Sequence, residues 1–317
     1  MASQPPIRIG TRASKLARTQ SGHMQQRIAA ILGAPPEKAD EAAPLVFITT
    51  SGDRIQDRRL LEAGGKGLFV KEIEEALLDG RIDCAVHSMK DVPAELPPGL
   101  CIAAIPERED PRDALISQGG VRFADLPKGA RIGTASLRRQ AQALCRRPDL
   151  KIEVLRGNVD TRLARLEAGD FDAILLAAAG LRRLGLQDHI TELFDPVQCP
   201  PAPGQGALAI ETRAADAGAD WLTALRHGPT ALTVAAERGA LEALEGSCRT
   251  AIGAHARIEQ DLLSLTVEAL TPDGADRFRR EATLPLGGLI GHAEAHALGF
   301  RLGRDIRAAA GDRILWA

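Results

Sequence analysis

The chain has 317 residues, a formal net charge of −2 and 44% apolar residues, as expected for a globular protein of about two or three domains. Only 3% of the residues are aromatic and none is tyrosine. Together with the weak net charge, this argues against a nucleic-acid-binding protein. Neither a signal-peptide core nor a membrane-spanning apolar run is present, so we expect a cytoplasmic protein without a membrane partner.

Paired repeats in the first part of the chain indicate two related lobes. The tetrapeptide "RIGT" occurs at 8–11 and at 131–134, each time after a strand-like run and before a serine and a helical pattern. A second pair, at 74–88 and 163–177, reads as a helix, a glycine, a short turn with aspartate and a buried strand. Strands that alternate with helices in this way predict two α/β lobes with mostly parallel sheets.

The connections divide the rest of the chain. The polar segment 106–113 suits a crossing to the second lobe, and "CPPAPGQG" at 199–206 suits the return, after which "ALAIETR" is predicted to be a strand of the first lobe. From about Thr230 a helix that Gly246 would cap, three alternating runs and a terminal helix predict a small α+β domain. The predicted domains are 1–107 with 204–225, 108–203, and 226–317.

Hydroxyl and arginine side chains are concentrated near predicted strand ends. Thr11, Ser14, Thr134 and Ser136 stand where a hydroxyl either caps a helix or, with the first helical N–H groups, binds an anion. In the second lobe we expect an anion-binding cleft lined by arginines, which bind carboxylates and phosphates in a bidentate manner: Arg138, Arg139, Arg156 and Arg162. For Arg165 and Arg182 we favour a solvated basic face.

The strand end "AVHSMKDVP" (85–93) carries the most specific group of polar residues. Ser88, Lys90 and Asp91 follow a buried strand, where α/β proteins bind their ligands. Asp91 either stabilises a cation or moves a proton, or it forms a structural salt bridge. His87 is interpreted as a satisfied core histidine. Lys66, in the glycine-rich "GGKG", either covers a cleft or belongs to a solvated loop.

The five cysteines form no CxxC pair, so reduced thiols and no metal site are expected. Cys84 and Cys101 lie in apolar runs and are predicted to be core residues, and Cys145 and Cys199 lack metal-ligand spacing. Cys248 differs from these, because in "LEGSCRTAIG" it stands among small residues between a helical pattern and a strand pattern. This setting predicts an exposed thiol with space around the sulfur.

These motifs together resemble the hydroxymethylbilane synthase (porphobilinogen deaminase) family. The matching segments run in family order from residue 8 to 256: "RIGTRASKLARTQ", "TTSGDR", "GGKGLFVKEIEEALLDGRIDCAVHSMKDVP", "RIGTASLRRQAQ", "LRGNVDTRL", "AAAGLRRLGL", "PAPGQGALAIE" and "LEGSCRTAIGAHA". The resemblance implies two lobes like those of type-two periplasmic binding proteins, a small α+β third domain and, we expect, a monomer.

The resemblance also implies a reaction. Cys248 matches the cysteine that carries a dipyrromethane cofactor through a thioether. Porphobilinogen would lose ammonia to give a cationic azafulvene, which the free α-carbon of the growing chain attacks. Four such cycles followed by hydrolysis would release hydroxymethylbilane and leave the dipyrromethane on the enzyme.

The resemblance further assigns roles to the residues already singled out. Asp91 matches the catalytic carboxylate near the pyrrole N–H groups. The implied cofactor-binding residues are Cys248, Ser88, Lys90, Thr134, Ser136, Arg138, Arg139 and Arg156, and the implied substrate-binding residues are Arg12, Ser14, Lys66, Arg162 and Arg183. The competing hypothesis is a non-enzymatic, two-lobed protein that binds a carboxylate or a phosphate, which the repeated lobes and the anion cleft would also suit.

Overall fold

The computed structural model describes residues 5–54, 70–244, 250–287, 291–314 and 316. The chain divides into two compact units, one formed by residues 1–108 and 207–230, the other by residues 109–206 and 231–317. The first unit holds one α/β lobe. The second holds another α/β lobe and a C-terminal antiparallel sheet. The boundaries of three separate domains stay a prediction.

The first lobe is a five-stranded sheet with helices on both faces. Its strands are β1 (Ile9–Thr11), β2 (Leu45–Phe47), β3 (Cys84–Ser88), β4 (Leu100–Ala104) and β10 (Leu208–Arg213). Its helices are α1 (Lys15–Ile31), α2 (Ala39–Ala42), α3 (Ser51–Arg54), α4 (Lys71–Leu78) and α8 (Asp220–Leu225). The strand order is β2-β1-β3-β10-β4, and β10 runs antiparallel to both of its neighbours.

The second lobe repeats this arrangement. Its strands are β5 (Asp113–Ser117), β6 (Arg131–Gly133), β7 (Lys151–Glu153), β8 (Ala173–Ala177) and β9 (Glu192–Leu193). Its helices are α5 (Leu137–Arg146), α6 (Val159–Glu167) and α7 (Ala178–Arg183). The strand order is β7-β6-β8-β5-β9, with β5 as the antiparallel strand.

The two lobes therefore share one topology, as the sequence repeats predict. In each, the "RIGT" strand lies second in the sheet, pairs in parallel with both neighbours and leads into a helix. The predicted strand "ALAIETR" is β10 and does rejoin the first lobe. The expectation of mostly parallel pairing holds only in part, because the antiparallel strand sits inside each sheet and makes half of its strand pairs antiparallel.

The C-terminal part follows the predicted elements closely. Helix α9 (Gly228–Ala243) leads to three antiparallel strands in sequential order, β11 (Ala251–Glu259), β12 (Leu262–Leu270) and β13 (Arg277–Pro285), and then to helix α10 (His292–Ala310). The alternating apolar residues of the strands face α9 and α10 and form a buried core with residues such as Leu265, Leu302 and Ile306. Gly246, the predicted helix cap, lies outside the described residues.

The fold class expected from the sequence is confirmed: two related α/β lobes and a smaller α+β part. Among the helices that the structure describes, none has both the length and the apolar character needed to cross a bilayer.

Candidate active site

The end of strand β3 presents polar side chains at the surface of the first lobe. After Ser88 the chain makes one turn of 3₁₀ helix, Met89–Asp91, on which Lys90 and Asp91 are exposed. The backbone of this turn is fixed, because the Met89 N–H donates to the carbonyl of Ala207 at 3.0 Å. The structure thus places Asp91 on an ordered turn beside the carboxyl end of a buried strand, as the sequence predicts.

The hydroxyl groups of the first lobe have local partners. Ser14 caps helix α1 by accepting a hydrogen bond from the N–H of Ala17 at 3.4 Å, and Thr11 accepts one from the Ser21 hydroxyl at 2.7 Å. Ser88 is held by the buried Gln20, whose Nε2 donates to the serine Oγ at 3.1 Å. Sequence reasoning missed Gln20, although its place on the helix after the first "RIGT" directs it toward this strand.

His87 lies in the core, as interpreted from the sequence. Its Nε2 lies 2.8 Å from Oε2 of Glu211, and both side chains are buried. A second buried acid, Glu74 of α4, has its pKa raised by burial and, to a lesser extent, by the charge of Glu211. This buried acidic group was not anticipated from the sequence.

In the second lobe the predicted hydroxyl ligands shape the start of helix α5. Ser136 is its N-cap and accepts a hydrogen bond from the N–H of Arg139 at 3.4 Å, and Thr134 accepts one from the N–H of Ser136 at 3.2 Å. Both hydroxyls are thus engaged with the helix start. Their capping role and their predicted ligand role are compatible, because a hydroxyl has more than one hydrogen-bonding site.

Arg138 and Arg139 share a buried carboxylate that the sequence did not single out. Asp113, at the start of β5, accepts from Nη1 and Nη2 of Arg138 at 2.5 and 3.2 Å and from Nε of Arg139 at 2.9 Å. Gln205 adds a fourth hydrogen bond at 2.9 Å. Burial opposes ionisation of Asp113, but the two arginines outweigh it and hold its pKa well below the usual range. In the sequence Asp113 only ends the polar segment 106–113, and nothing there indicates this role.

Part of the Arg138 guanidinium has no partner. Its Nη1 also contacts Oε1 of Gln142 at 2.9 Å and the carbonyl of Pro200 at 3.2 Å. Its Nε is buried and makes no hydrogen bond within the described residues. One Nη2 hydrogen lies on the same edge of the guanidinium as the Nε hydrogen. Through this edge, with Nε and Nη2 as the two donors, an arginine can bind a carboxylate in a bidentate manner.

Two further arginines form a positively charged cluster with Arg139. Arg162 on α6 has its pKa lowered to about 10, first by burial and then by the nearby charges of Arg139 and Arg156. Its Nε donates to the carbonyl of Gly157 at 2.8 Å, and within the described residues it has no carboxylate partner. Like charges that lie close together and are partly buried favour binding of an anion.

Arg183 of α7 is partly buried and donates from Nη2 to the carbonyl of Gly206 at 2.6 Å. Burial lowers its pKa, and the charge of Glu109 partly offsets this. By contrast, Arg165 and Arg182 have side chains 44% and 42% exposed and pair with Asp170 and Asp110. The prediction of a solvated face for these two is confirmed.

Four of the five cysteines are described. Cys84 and Cys199 are buried, which raises the pKa of each thiol, and Cys101 and Cys145 are partly buried. Cys248 and Lys66 lie outside the described residues. Three positions after Cys248, however, Ala251 packs in a buried cluster with Ala141 of α5 and Leu270. From Ala251 onward the chain therefore lies against α5, the helix that carries Arg138 and Arg139 in its first turn.

Comparison with known proteins identifies relatives along almost the whole chain. The family model "Porphobilinogen deaminase, dipyromethane cofactor binding domain" matches residues 7–220, and "Porphobilinogen deaminase, C-terminal domain" matches residues 231–308. A porphobilinogen deaminase of Caulobacter vibrioides is 67% identical over 99% of both chains. That of Phenylobacterium zucineum is 65% identical over 99% of this chain and 100% of its own.

Proposed function

This chain belongs to the porphobilinogen deaminase family, and from that premise we propose that it joins four porphobilinogen molecules head-to-tail into hydroxymethylbilane. The reaction is a transfer that releases ammonia and belongs to tetrapyrrole biosynthesis. A non-enzymatic carboxylate-binding role is not favoured, because the family is one of enzymes and the match extends over nearly the whole chain.

Cys248 is proposed to carry the dipyrromethane cofactor through a thioether. When bound, this group supplies the free pyrrole α-carbon to which the first substrate is joined. Burial of Cys84 and Cys199 supports the choice of cysteine, because thiols with raised pKa values form little thiolate. The packing of Ala251 on α5 supports it too, because Ala251 is only three residues from Cys248 in the chain and lies against the helix of Arg138 and Arg139.

The arginine cluster of the second lobe is the observation that carries this proposal. Each pyrrole of the substrate and cofactor bears an acetate and a propionate group, so several carboxylates need cationic partners. Arg162 lies in the field of Arg139 and Arg156 without a carboxylate partner among the described residues. The unpaired edge of Arg138 adds a bidentate donor pair. These residues fit the acidic groups of the cofactor and substrate.

Asp91 is proposed to meet the positive charge that develops when ammonia leaves porphobilinogen. A carboxylate near the pyrrole N–H stabilises the cation by hydrogen bonding and by charge. The position of Asp91 on the ordered turn after β3 supports this role. We assign binding of substrate carboxylates to Arg12, Ser14, Arg183 and Lys66, and binding of cofactor carboxylates to Ser88, Lys90, Thr134, Ser136 and Arg156.

Two measurements on the purified protein test this function. Intact-mass analysis should show a covalent adduct the size of two pyrrole units. Incubation with porphobilinogen should release ammonia and a linear tetrapyrrole that gives uroporphyrin after cyclisation and oxidation. A protein without adduct that binds porphobilinogen but leaves it unchanged would support the non-enzymatic alternative. The same preparation, run on a sizing column, tests the expected monomer, and fractionation of cells tests the expected cytoplasmic location.

A further inference from the structure

Gln142 of α5 connects the arginine-bearing start of the helix to the C-terminal sheet. Its Oε1 accepts from Nη1 of Arg138 at 2.9 Å, and its Nε2 donates to Oε1 of Glu268 on β12 at 2.7 Å. Nε2 also donates to the carbonyl of Pro200 at 2.8 Å. The orientation of the amide is dictated by chemistry, because arginine only donates and a carboxylate only accepts. All three side chains are buried.

Glu268 holds the other end of this connection in place. Its side chain is fully buried, and its second oxygen accepts from Nε and Nη2 of Arg277 at 2.9 and 2.6 Å. Both oxygens of the carboxylate are therefore satisfied, one by Gln142 and one by Arg277. A buried charge that is fully paired in this way is costly to move.

The C-terminal sheet lies against α5 with backbone-to-backbone contacts. A Cβ atom placed on Gly274 would come within 2.5 Å of the Ala141 carbonyl oxygen and 2.4 Å of the Cys145 nitrogen. Gly253 lies equally close to Pro200, since a Cβ atom there would be 2.4 Å from the proline carbonyl oxygen. These close approaches pack α5 against the turn between β12 and β13, and the segment at Pro200 against β11.

We propose that Gln142 is a positioning residue, which holds the unpaired edge of Arg138 in place for a ligand carboxylate by tying this arginine to Glu268. The inference rests on the proposed function, since it assumes that this edge binds an acidic group of the cofactor or substrate. The sheet that follows the cofactor-bearing cysteine is thus connected to a cation that binds the cofactor. Asp113 holds the Nη1 and Nη2 end of the Arg138 guanidinium. Gln142 binds Nη1 from a second direction and so prevents the guanidinium group from rotating about the Asp113 carboxylate.

A swap of the two side chains tests the connection. In Gln142→Glu, two carboxylates face each other. In Glu268→Gln, the new side chain has one oxygen and one NH₂ group in place of the two carboxylate oxygens. Whichever way it turns, the NH₂ group faces a donor, either Gln142 or Arg277. In the double variant Gln142→Glu/Glu268→Gln, every side-chain acceptor of the connection again faces a donor, and the hydrogen bond from residue 142 to the Pro200 carbonyl is lost. The double variant also conserves the composition and charge of the protein.

We expect each single variant to remain folded by circular dichroism but to lose ~10-fold in kcat/KM and to reduce the fraction of protein that carries the adduct in intact-mass analysis. The double variant should recover most of both. Gln142→Met, of similar size but without hydrogen bonds, should resemble the single variants and would report on the site even if a charged variant unfolds.

The positioning role is wrong if the single variants load cofactor and turn over like the unmodified protein, or if the double variant is no better than the worse single. Failure of the proposed function itself would look different, because the unmodified protein would then show neither adduct nor turnover.

Discussion

Arg138 and Asp113 form a buried, bidentate ion pair, with the two guanidinium nitrogens Nη1 and Nη2 at 2.5 and 3.2 Å from the two carboxylate oxygens. Because Asp113 also binds Arg139, one negative charge serves two cations. The group retains a net positive charge, which suits a site for acidic ligands. The same ion pair therefore stabilises the second lobe and leaves a net positive charge at the candidate site.

Replacing Asp113 by asparagine should destabilise the protein strongly. The change leaves two buried guanidinium groups without their counterion, which costs about 3–5 kcal/mol in the free energy of unfolding near neutral pH. Urea unfolding measures this. Asp170→Asn is the matched control, because its pair with Arg165 is 44% exposed on both sides and should contribute at most ~1 kcal/mol.

The effect of Asp113→Asn should also depend on pH. The pKa of Asp113 is lower in the folded protein than in the unfolded chain, so its stabilisation is present above the unfolded-state pKa and is lost as the pH falls toward the folded-state pKa. The stability difference between the two proteins should therefore shrink below about pH 4. A difference that stays constant down to about pH 2 would show that the asparagine acts through packing rather than charge.

Cys248→Ser should give a folded protein that lacks the adduct and does not turn over porphobilinogen. The serine keeps the size of the side chain but forms no thioether under the same conditions, because its hydroxyl is far less acidic than a thiol. Intact mass and a colour test with acidic aldehyde reagent measure the result. Cys101→Ser, at a partly buried cysteine of the first lobe, should keep both adduct and activity. Persistence of the adduct in Cys248→Ser would place the cofactor on another residue.

The elements of this fold could be predicted from the sequence because their patterns are local. The alternating runs that predict β11 and β12 coincide with those strands, and the two "RIGT" segments lie at equivalent places in two sheets. The insertion of β10 and β5 inside the sheets could not be read from periodicity. It depends on pairings between strands that are distant along the chain, such as Ala209 with His87.

Only the residues proposed to bind ligands at the candidate site could be predicted from the sequence. The arginines and the strand-end residues show as clusters in the sequence. Their partners do not, because Asp113 is 25 residues from Arg138 and Glu268 is 126 residues from Gln142. The resemblance to a family assigns roles to the residues that are expected to touch ligands, but it says nothing about the buried groups that hold them.

Arg162→Gln should impair substrate binding without destabilising the fold. Removing a cation from a partly buried cluster of like charges relieves repulsion, so the melting temperature should stay the same or rise. The KM for porphobilinogen should increase by ~10-fold or more because a charge-assisted contact is lost. Arg165→Gln, three residues further along the same helix and paired with Asp170, is the control and should leave KM unchanged. Equal effects of the two changes would mean that Arg162 is a surface residue.

Glu74→Gln should stabilise the protein at neutral pH. Burial and the charge of Glu211 raise the pKa of Glu74 in the folded state, so ionisation of this group opposes folding once the pH exceeds the unfolded-state value. Glutamine resembles the protonated acid and avoids that cost. Thermal unfolding at several pH values should show a gain near pH 7 that disappears below about pH 4. A loss of stability at neutral pH would show that the negative charge of Glu74 is needed by His87.

Asp91→Asn should abolish turnover while the protein stays folded. Asparagine has nearly the same shape and can accept a hydrogen bond from a pyrrole N–H, but it cannot offset the cation that forms as ammonia leaves. Turnover should therefore fall by ~100-fold or more, as when one electrostatic stabiliser is removed from an active site. The melting temperature should be unchanged, because Asp91 is exposed at the end of a turn that backbone hydrogen bonds hold.

Asp91→Glu keeps the charge one methylene away and should retain part of the activity. Glu95→Gln, which removes an exposed carboxylate four residues further along, is the control for a general charge effect and should be active. Near-normal turnover by Asp91→Asn, or loss of activity only through unfolding, would make Asp91 a structural residue.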